Sequence, residues 1–378
     1  MNEKIIKKTI LFVVNSDWFF LSHRLPIAKK ALEEGYNVGL ITEITTKREE
    51  IEKYGIFVQE IKFQRGSTSI VKNIFLFIKI LKIFKSIKPD LIHLVTIKPV
   101  IFGGIAAHFL RNSTKIVISI SGLGFIFIEK GFKAFLRKII ILFFYKLVFL
   151  NKNIKVILQN KTDLQNLCNS TNLAKKQTIL IEGSGVNLNE FKFSKIPTSK
   201  RIVLFPARLL SSKGIFEFIE AAKNLRGSAR FVIVGKHDLE ARKCINLNKL
   251  KKIENQGIIE YWGESTDMPK IFKISSIVVL PSYREGMPKS LLEAAACGRA
   301  VVTTNVPGCR DAIIDGITGI LVKSRNSIEL TNAIKKLLKN PKLINKMGVE
   351  GRKLAESKFD INKVVNKHLE IYSNLLST

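Results

Sequence analysis

Residues 277–298, IVVLPSYREGMPKSLLEAAACG, decide the fold of this 378-residue chain. The β-branched run at 277–280 predicts a short buried strand, and the prolines and glycine after it predict a loop. The Ala- and Leu-rich run that Gly298 ends predicts a helix. Strand, loop and helix in this order are the repeating unit of α/β proteins, whose ligands lie beyond the carboxyl ends of the strands. The start of the helix also offers free N–H groups to a phosphate.

Two carboxylates lie within this unit. Glu285 is on the loop and Glu293 is one to two turns into the helix, so both side chains can face one ligand. Glu285 would contact the far end of that ligand and Glu293 a part nearer its middle. Two glutamates at this separation are also common by chance, and the alternative is a pair of solvated surface residues.

Length and hydropathy predict two globular domains. A chain of 378 residues is long enough for two cores of ordinary size. It is 46% hydrophobic with a mean hydropathy of +0.14, yet it has no uninterrupted apolar run of about 18 residues, the length that a membrane-spanning helix requires. The longest run, at 139–150, is interrupted by Lys146. The charged first eight residues are not typical of a cleavable signal peptide, so we predict a cytoplasmic protein.

The net charge of +31 and the pI of about 10.0 predict an anionic partner. Nucleic acid, anionic lipid and a phosphorylated substrate all fit this charge, and a lysine-rich genome would raise it without any polyanion site. The four cysteines show no Cys-x-x-Cys spacing and the five histidines are scattered, which predicts reduced thiols and no metal site. We expect no cofactor.

The first half begins with a parallel β–α–β pattern, which predicts a doubly wound sheet. Strands are predicted at 9–14, 37–42, 91–94, 115–120, 155–159 and 178–181, with a helix from Ser22 to Gly35 after the first. The loop at 15–20 would then lie at the ligand-facing edge, and its three aromatic residues either pack in the core or line a cleft for a sugar ring or lipid. Candidate acceptor- or phosphate-binding residues lie in this loop and after the fourth strand: Asn15, Ser16, Asp17, Gly122 and Gly124.

Two segments of the first half combine basic and apolar residues. A helix is predicted at 70–85, with a core stripe of Ile70, Ile74, Phe77, Ile78, Leu81 and Phe84. The opposite face alternates aliphatic and basic side chains: Lys72, Leu76, Lys79, Ile80, Lys82 and Ile83. A membrane interface suits such a face, and the alternative is a second packed face with snorkelling lysines. The segment at 125–150, which includes Lys133 and Arg137, has the same character.

The second half opens after a polar, basic stretch at 189–200, which we interpret as the interdomain linker. A strand at 202–206 is followed by ARLLSSKG at 207–214 and then a helix, which puts Arg208 and Lys213 at a strand end and a helix start. Both are suited to a diphosphate, although loop cations are often only solvated. We expect one domain at 1–194, completed by a closing helix at 361–378, and another at 195–360.

The motifs of the second half resemble those of family 4 of the glycosyltransferases, retaining enzymes of the GT-B fold. PSYREGMPKSLLEAAACG carries a glutamate pair like that of the family, and ARLLSSKG matches its diphosphate-binding Arg and Lys. Order and spacing agree from Ser184 to Gly319, including NVPG at 305–308 and DGITG at 315–319. The first half, through SHRLP at 22–26 and GLGF at 122–125, resembles a narrower group of bacterial enzymes that extend sugars on undecaprenyl diphosphate, among them an N-acetylgalactosaminyltransferase.

The resemblance implies two Rossmann-like domains that face each other across a cleft, with the C-terminal helix crossing back to the first domain. It implies a UDP-sugar donor, an undecaprenyl-diphosphate-linked acceptor in surface-glycan biosynthesis, and an enzyme on the inner face of the cell membrane. Catalysis would be metal-independent, with the diphosphate held by Arg208 and Lys213 and the sugar by Glu285. The other donor-binding residues it implies are Glu293, Gly286, Met287, Pro288 and Ser290.

Three other classes of protein fit parts of the sequence. A glycosidase uses paired carboxylates but needs neither Arg208 nor Lys213. A nucleotide-sugar epimerase of the same fold needs no lipid-facing surface. A nucleic-acid-binding protein would explain the charge, but no RNA or DNA motif and no stacking platform is visible, so we expect no nucleic acid among the partners.

Overall fold

The computed structural model describes residues 7–63, 69–110, 114–123, 131–197, 201–238 and 244–377. The chain divides into two compact units, Met1–Ile181 with Val364–Thr378, and Glu182–Lys363. Each unit is built on one parallel sheet, and the sequence accounts for this because its β-branched runs alternate with helical patterns.

The sheet of the first unit has seven parallel strands in the order β3-β2-β1-β4-β5-β6-β7. This is the doubly wound order, in which the chain reverses direction across the sheet between β1 and β4. The strands are β1 (Thr9–Val14), β2 (Asn37–Thr42), β3 (Phe57–Glu60), β4 (Leu91–Val95), β5 (Lys115–Ile120), β6 (Ile154–Leu158) and β7 (Thr178–Leu180).

Helices connect these strands on both faces of the sheet. They are α1 (Asp17–His23), α2 (Leu25–Glu33), α3 (Arg48–Glu52), α4 (Ile70–Ile87), α5 (Gly104–Ala107), α6 (Phe132–Val148) and α7 (Lys161–Ser170). The helix predicted from Ser22 to Gly35 is thus two helices that meet at Arg24. Most of the predicted loop at 15–20 belongs to α1, where Phe20 is buried against Phe12 with ring centroids 5.8 Å apart.

The sheet of the second unit has six parallel strands in the order β10-β9-β8-β11-β12-β13. They are β8 (Ile202–Pro206), β9 (Arg230–Val234), β10 (Glu260–Tyr261), β11 (Ile277–Leu280), β12 (Ala300–Thr304) and β13 (Gly319–Val322). The helices of this unit are α8 (Ile215–Asn224), α9 (Leu247–Asn255), α10 (Met268–Ile274), α11 (Lys289–Ala296), α12 (Ser327–Lys339) and α13 (Pro341–Leu354). The last helix of the chain, α14 (Ile361–Leu376), lies mostly in the first unit.

The segment at 182–194 belongs to the second unit, whereas the sequence predicts a boundary after residue 194. The backbone N–H of Val186 donates to Phe359 O at 2.8 Å, and the Phe191 ring packs 6.1 Å from that of Phe272. Val186 and Phe191 are buried in the second core, so the stretch at 189–200 whose polar composition indicates a linker is already packed at its beginning.

The C-terminal helix α14 returns to the first unit, as predicted. His93 on β4 bonds Tyr372 Oη at 2.5 Å through Nδ1 and Ser119 Oγ at 2.7 Å through Nε2. All three groups are buried, and burial together with the nearby Arg24 charge lowers the pKa of His93 well below its usual value. The neutral histidine therefore joins β4, β5 and α14 in one buried network.

The core face predicted for α4 is correct only in part. Phe84 is buried and Phe77 and Leu81 pack against the core, as predicted. Ile70, Ile74 and Ile78 are exposed instead, and Leu76 and Ile80 of the opposite face are buried. Both faces of this helix are apolar, so three-to-four spacing alone does not locate the buried stripe. None of the helices among the described residues is long and apolar enough to cross a membrane.

Candidate active site

The candidate site lies between β8 and β11, where the order of the strands in the second sheet reverses. Strands β8 and β11 are hydrogen-bonded neighbours, with Ile277 beside Val203, and the chain crosses to opposite sides of the sheet from them. Loops that leave adjacent parallel strands at such a point diverge and form a crevice at the carboxyl edge. Arg208 and Lys213 follow β8, and Glu285 follows β11, so the fold brings the three predicted residues to one edge.

Lys213 and Glu285 form an ion pair across this crevice. Lys213 Nζ lies 2.5 Å from Glu285 Oε1, and both side chains are largely shielded, with 20% and 13% of their surface exposed. Lys213 ends a short 3₁₀ turn, and Gly214 follows it with φ +79°. A Cβ on Gly214 would lie 2.1 Å from Pro281 O, so only glycine allows the two loops to approach this closely.

The backbone of Glu285 is fixed by the loop after β12. Its N–H donates to Pro307 O at 3.1 Å, and a Cβ on Gly308 would lie 2.5 Å from Glu285 O. Gly308 N–H in turn donates to Asp311 Oδ2 at 2.8 Å. Buried Cys309 lies nearby: burial and the Glu285 charge raise the pKa of its thiol to about 12, which keeps it an inert thiol. Glu285 is therefore held on a rigid backbone.

Arg208 is the second cation at this edge. Its Nη1 donates to Asp238 Oδ2 at 2.8 Å, and 40% of its side chain is exposed. Asp238 follows β9, the strand beside β8. Because a guanidinium has five N–H donors and this contact uses one of them, Arg208 can still fork onto an anionic ligand.

Glu293 differs from Glu285 in its surroundings. It is 8% exposed on α11, and Lys289 Nζ lies 3.4 Å from its Oε1, one helical turn away. Burial raises the pKa of Glu293, and the Lys289 charge offsets only part of that effect. Of the neighbouring predicted residues, Gly286, Met287 and Pro288 are buried and Ser290 is half-buried at the start of α11.

Sequence reasoning missed two supports of this site. Tyr283 Oη donates to Glu217 Oε1 at 2.8 Å, and the Arg325 guanidinium lies 4.4 Å from the centre of the tyrosine ring. Asp238, the partner of Arg208, was also missed. Both residues come shortly after a strand, β11 for Tyr283 and β9 for Asp238, and this position is a signal for candidates although not for the contacts that they make.

In the first unit, the predicted loop residue Asp17 is held by hydrogen bonds within the protein. Asp17 is buried, and its carboxylate accepts hydrogen bonds from Thr45 N–H at 2.7 Å and from Lys47 N–H at 3.2 Å. Burial would raise the pKa of Asp17, but these and other hydrogen bonds outweigh it and lower the pKa. Asp17 therefore anchors the loop after β2, an arrangement that favours a structural role over ligand binding.

The other first-unit residues lie along the carboxyl edge of the sheet. Asn15 is half-buried, Ser16 Oγ is buried without a hydrogen-bond partner among the described residues, and Gly122 has φ +132°. Gly124 lies outside the described residues. Arg24, which sequence reasoning did not select, is buried here and donates to Ser121 Oγ at 3.3 Å. Burial lowers its pKa to about 10, so it remains charged at neutral pH.

The predicted membrane-facing residues lie on α4 and α6. Lys72, Lys79, Lys82 and Lys133 are exposed, and Arg137 is half-buried. Large apolar side chains are exposed on the same two helices: Ile70, Val71, Ile74, Phe75, Ile78, Phe132, Phe135, Leu136, Ile139, Ile140 and Phe143.

Comparison with known proteins gives the family. The model of glycosyl transferases group 1 matches residues 186–354, and the glycosyl transferase 4-like model matches residues 9–160. The N,N'-diacetylbacillosaminyl-diphospho-undecaprenol alpha-1,3-N-acetylgalactosaminyltransferase of Campylobacter jejuni is 30% identical, and the alignment covers 94% of this chain and 98% of that protein. The chain belongs to the group 1 glycosyl transferases.

Two further similarities extend this result. The UDP-Gal:alpha-D-GlcNAc-diphosphoundecaprenol alpha-1,3-galactosyltransferase of Escherichia coli is 26% identical to this glycosyltransferase over 82% of the chain and 81% of the relative. The crystal structure of HepE from Anabaena in complex with UDP-glucose superposes with a TM-score of 0.78 at 18% identity, covering 97% of this chain and 99% of that one. The predicted GT-B class is confirmed, and the matches give no support to an epimerase or a nucleic-acid-binding protein.

Proposed function

We propose that this glycosyltransferase transfers a hexose or N-acetylhexosamine from a UDP-sugar, with retention of configuration, to a saccharide linked to undecaprenyl diphosphate. The observation that carries the proposal is the meeting of Arg208, Lys213 and Glu285 at the carboxyl edge of β8 and β11. Two cations suit a diphosphate leaving group, and the adjacent carboxylate suits the hydroxyls of its sugar.

The donor would lie along the crevice of the second unit. Glu293 would accept hydrogen bonds from the ribose hydroxyls, Arg208 and Lys213 would bind the diphosphate, and Glu285 would bind the sugar. The half-buried Ser290 and the N–H groups at the start of α11 would add donors to the same ligand. Lys213 bonds Glu285, so in the complex this pair would bridge the diphosphate and the sugar.

The chemical step would be supported mainly at the leaving group. As the bond between the sugar C1 and the diphosphate oxygen breaks, its electron pair moves onto the diphosphate, where Arg208 and Lys213 stabilise the charge. The acceptor hydroxyl bonds to C1 from the same face and passes its proton to the departing diphosphate oxygen. Each such preorganised contact lowers the barrier by about 3 kcal/mol, or roughly a hundredfold in rate.

The proposed acceptor class rests on the relatives and on the surface of the first unit. The Campylobacter and Escherichia relatives are named for diphospho-undecaprenol substrates. The exposed lysines and apolar side chains of α4 and α6 suit an enzyme that works against the cytoplasmic face of a membrane carrying such lipids. We assign the product to a surface glycan, such as O-antigen, capsule or a glycoprotein glycan.

A donor screen against lipid-diphosphate acceptors tests the proposal. UDP-linked hexoses and N-acetylhexosamines are incubated with short-chain prenyl-diphosphate saccharides, and the product linkage is determined by NMR. We expect one UDP-sugar to give an α-linked product from an α-configured donor. Inversion at C1, or transfer only to acceptors that lack a lipid diphosphate, would contradict the proposal.

A further inference from the structure

A cavity of about 480 Å³ lies beneath α4 in the first unit. Residues at the end of β3, after β3 and on α4 line it, together with Lys98 after β4: Glu60, Ile61, Lys62, Phe63, Lys72, Asn73, Phe75, Leu76, Lys79 and Lys98. Its volume is within the range of about 300–1,000 Å³ that small-molecule sites have in proteins. The predicted active site does not use this cavity.

The lining of this cavity carries an excess of positive charge. Four of the lining residues are lysines and one is a glutamate. The carboxylate of Glu60 accepts a hydrogen bond from Arg48 Nη2 at 3.3 Å, so the Arg48 charge already offsets its negative charge. Lys62, Lys72 and Lys79 have no carboxylate partner among the described residues. Such a lining favours an anion with several oxygens, for which the ammonium groups are donors.

The same cavity opens onto apolar surface. Its inner side is formed by the buried side chains of Ile61, Phe63 and Leu76, whereas Phe75 lines the cavity and is 68% exposed. Next to Phe75 along α4, Val71, Ile74 and Ile78 are also exposed. Cationic and apolar groups are therefore continuous from the cavity to the surface, and the ligand that fits them carries a polyanionic group next to a hydrocarbon chain.

We propose that this cavity binds the diphosphate and the first isoprene units of the lipid-linked acceptor. Lys62, Lys72 and Lys79 would contact the phosphate oxygens, and Phe75 with the exposed face of α4 would cover the prenyl chain. A diphosphate next to a polyprenyl chain has the chemistry that the lining requires, whereas a nucleotide lacks the hydrocarbon and a bilayer lipid carries less charge per headgroup. This assignment rests on the proposed function, whose acceptor it locates.

Binding of farnesyl diphosphate, a soluble prenyl diphosphate, tests the site without any turnover. Affinity is measured by calorimetry for the wild-type chain, for the double variant Lys72→Met/Lys79→Met, and for Lys85→Met. Lys85 is an exposed lysine of α4 that does not line the cavity, so its variant controls for a general loss of charge. At about 1 kcal/mol for each lysine, the double variant should bind farnesyl diphosphate roughly 30-fold more weakly. Lys85→Met should bind like the wild type.

Two further probes identify the source of the anion. Inorganic diphosphate should compete only weakly, because it lacks the prenyl chain, and Phe75→Ser should weaken farnesyl diphosphate but not inorganic diphosphate. Equal losses for both probes in Phe75→Ser would overturn the lipid assignment in favour of a plain anion site. If Lys72→Met/Lys79→Met and Lys85→Met both lower binding to phosphatidylglycerol vesicles and neither affects farnesyl diphosphate, the lysines serve only the membrane surface and the proposal is wrong.

Kinetics separate this inference from the proposed function. The double variant should raise KM for a prenyl-diphosphate acceptor about 30-fold and leave the KM of the UDP-sugar unchanged. If the double variant transfers sugar to the lipid acceptor with an unchanged KM, the cavity is not the acceptor site, but the proposed function stands. If farnesyl diphosphate binds in a lysine-dependent way but no sugar is transferred, the cavity site stands and the proposed function is wrong.

Discussion

Lys213 Nζ and Glu285 Oε1 are 2.5 Å apart, and this contact joins the loop after β8 to the loop after β11. The pair is shielded from solvent, and the backbone N–H groups of Lys213 and Glu285 donate to Leu210 O and Pro307 O, so contacts within the protein orient both side chains. A site that is already ordered has less reorganisation to undergo as charge develops in the transition state.

Glu285→Gln should lower kcat by about a hundredfold with a smaller change in donor KM. Glutamine keeps the shape of the side chain but has no charge. It would therefore neither stabilise the sugar as it becomes oxocarbenium-like nor form an ion pair with Lys213. Steady-state kinetics with varied UDP-sugar measure both constants. Lys213→Met should give a similar loss, and because the residues are in contact, the double variant should lose less than the product of the single losses.

The control for this pair is folding. Circular dichroism and thermal melts should show that each variant is folded at the assay temperature. A folded Glu285→Gln variant with near-normal kcat would mean that the pair only holds two loops together.

Arg208→Ala should lower kcat by about a hundredfold while leaving stability nearly unchanged. The Arg208–Asp238 pair is exposed at the arginine end, and such pairs contribute about 0–1 kcal/mol to folding. Arg230→Ala is the matched control, because Arg230 also forms an exposed ion pair, with Glu260, but at the amino end of β9. Equal activity losses in the two variants would show that arginine removal acts through folding and not through the diphosphate.

Transfer should persist in the presence of EDTA. Arg208 and Lys213 supply two positive charges where a diphosphate would lie, and this meets the electrostatic need of the leaving group. The measurement is the initial rate after dialysis against EDTA, with and without added magnesium or manganese. Complete loss of activity that either metal restores would refute this prediction.

The parts of the fold predicted well from sequence are the buried strands. β1, β2, β5, β8 and β11 have the predicted bounds, because continuous β-branched runs between turn residues allow few other structures. The buried stripe predicted for α4 is correct at Phe84 but wrong at Ile70 and Ile74, because apolar residues surround this helix. The site was predicted as a set of strand-end residues, but its partners Asp238 and Tyr283 are joined to it by tertiary contacts, which spacing along the chain does not encode.

Membrane association should depend on the lysines of α4 and α6. Lys82→Glu/Lys133→Glu should weaken binding to phosphatidylglycerol vesicles at a cost of about 1 kcal/mol or more for each residue. Both side chains are exposed beside large exposed apolar residues. Vesicle co-sedimentation measures the effect, with Lys335→Glu/Lys336→Glu on α12 as the control of equal charge change. If both double variants bind alike, the attraction is a property of net charge and not of this surface.

Glu293→Gln should weaken donor binding and stabilise the fold. Ribose hydroxyls do not change during the reaction, so Glu293→Gln should raise donor KM about tenfold or more, the effect of a lost hydrogen bond to a charged group, with a smaller change in kcat. Burial raises the pKa of Glu293 in the folded state above its unfolded value near 4.5, so the native carboxylate destabilises the fold at neutral pH. The same substitution should therefore raise Tm at pH 7.

The pH dependence of that stabilisation gives the sign test. A group whose pKa is raised by folding binds protons more tightly in the native state, so its contribution to stability is most favourable below the unfolded pKa and declines as the pH rises. The gain in Tm of Glu293→Gln should be largest near pH 7 and should shrink toward zero below pH 4.5, where the wild-type carboxyl is also neutral. In a unit of this size about 1 kcal/mol shifts Tm by roughly 2–4 °C, which calorimetry resolves. A Glu293→Gln variant with a lower Tm at pH 7 and normal donor KM would show that the carboxylate, together with Lys289, supports α11 and does not bind the donor.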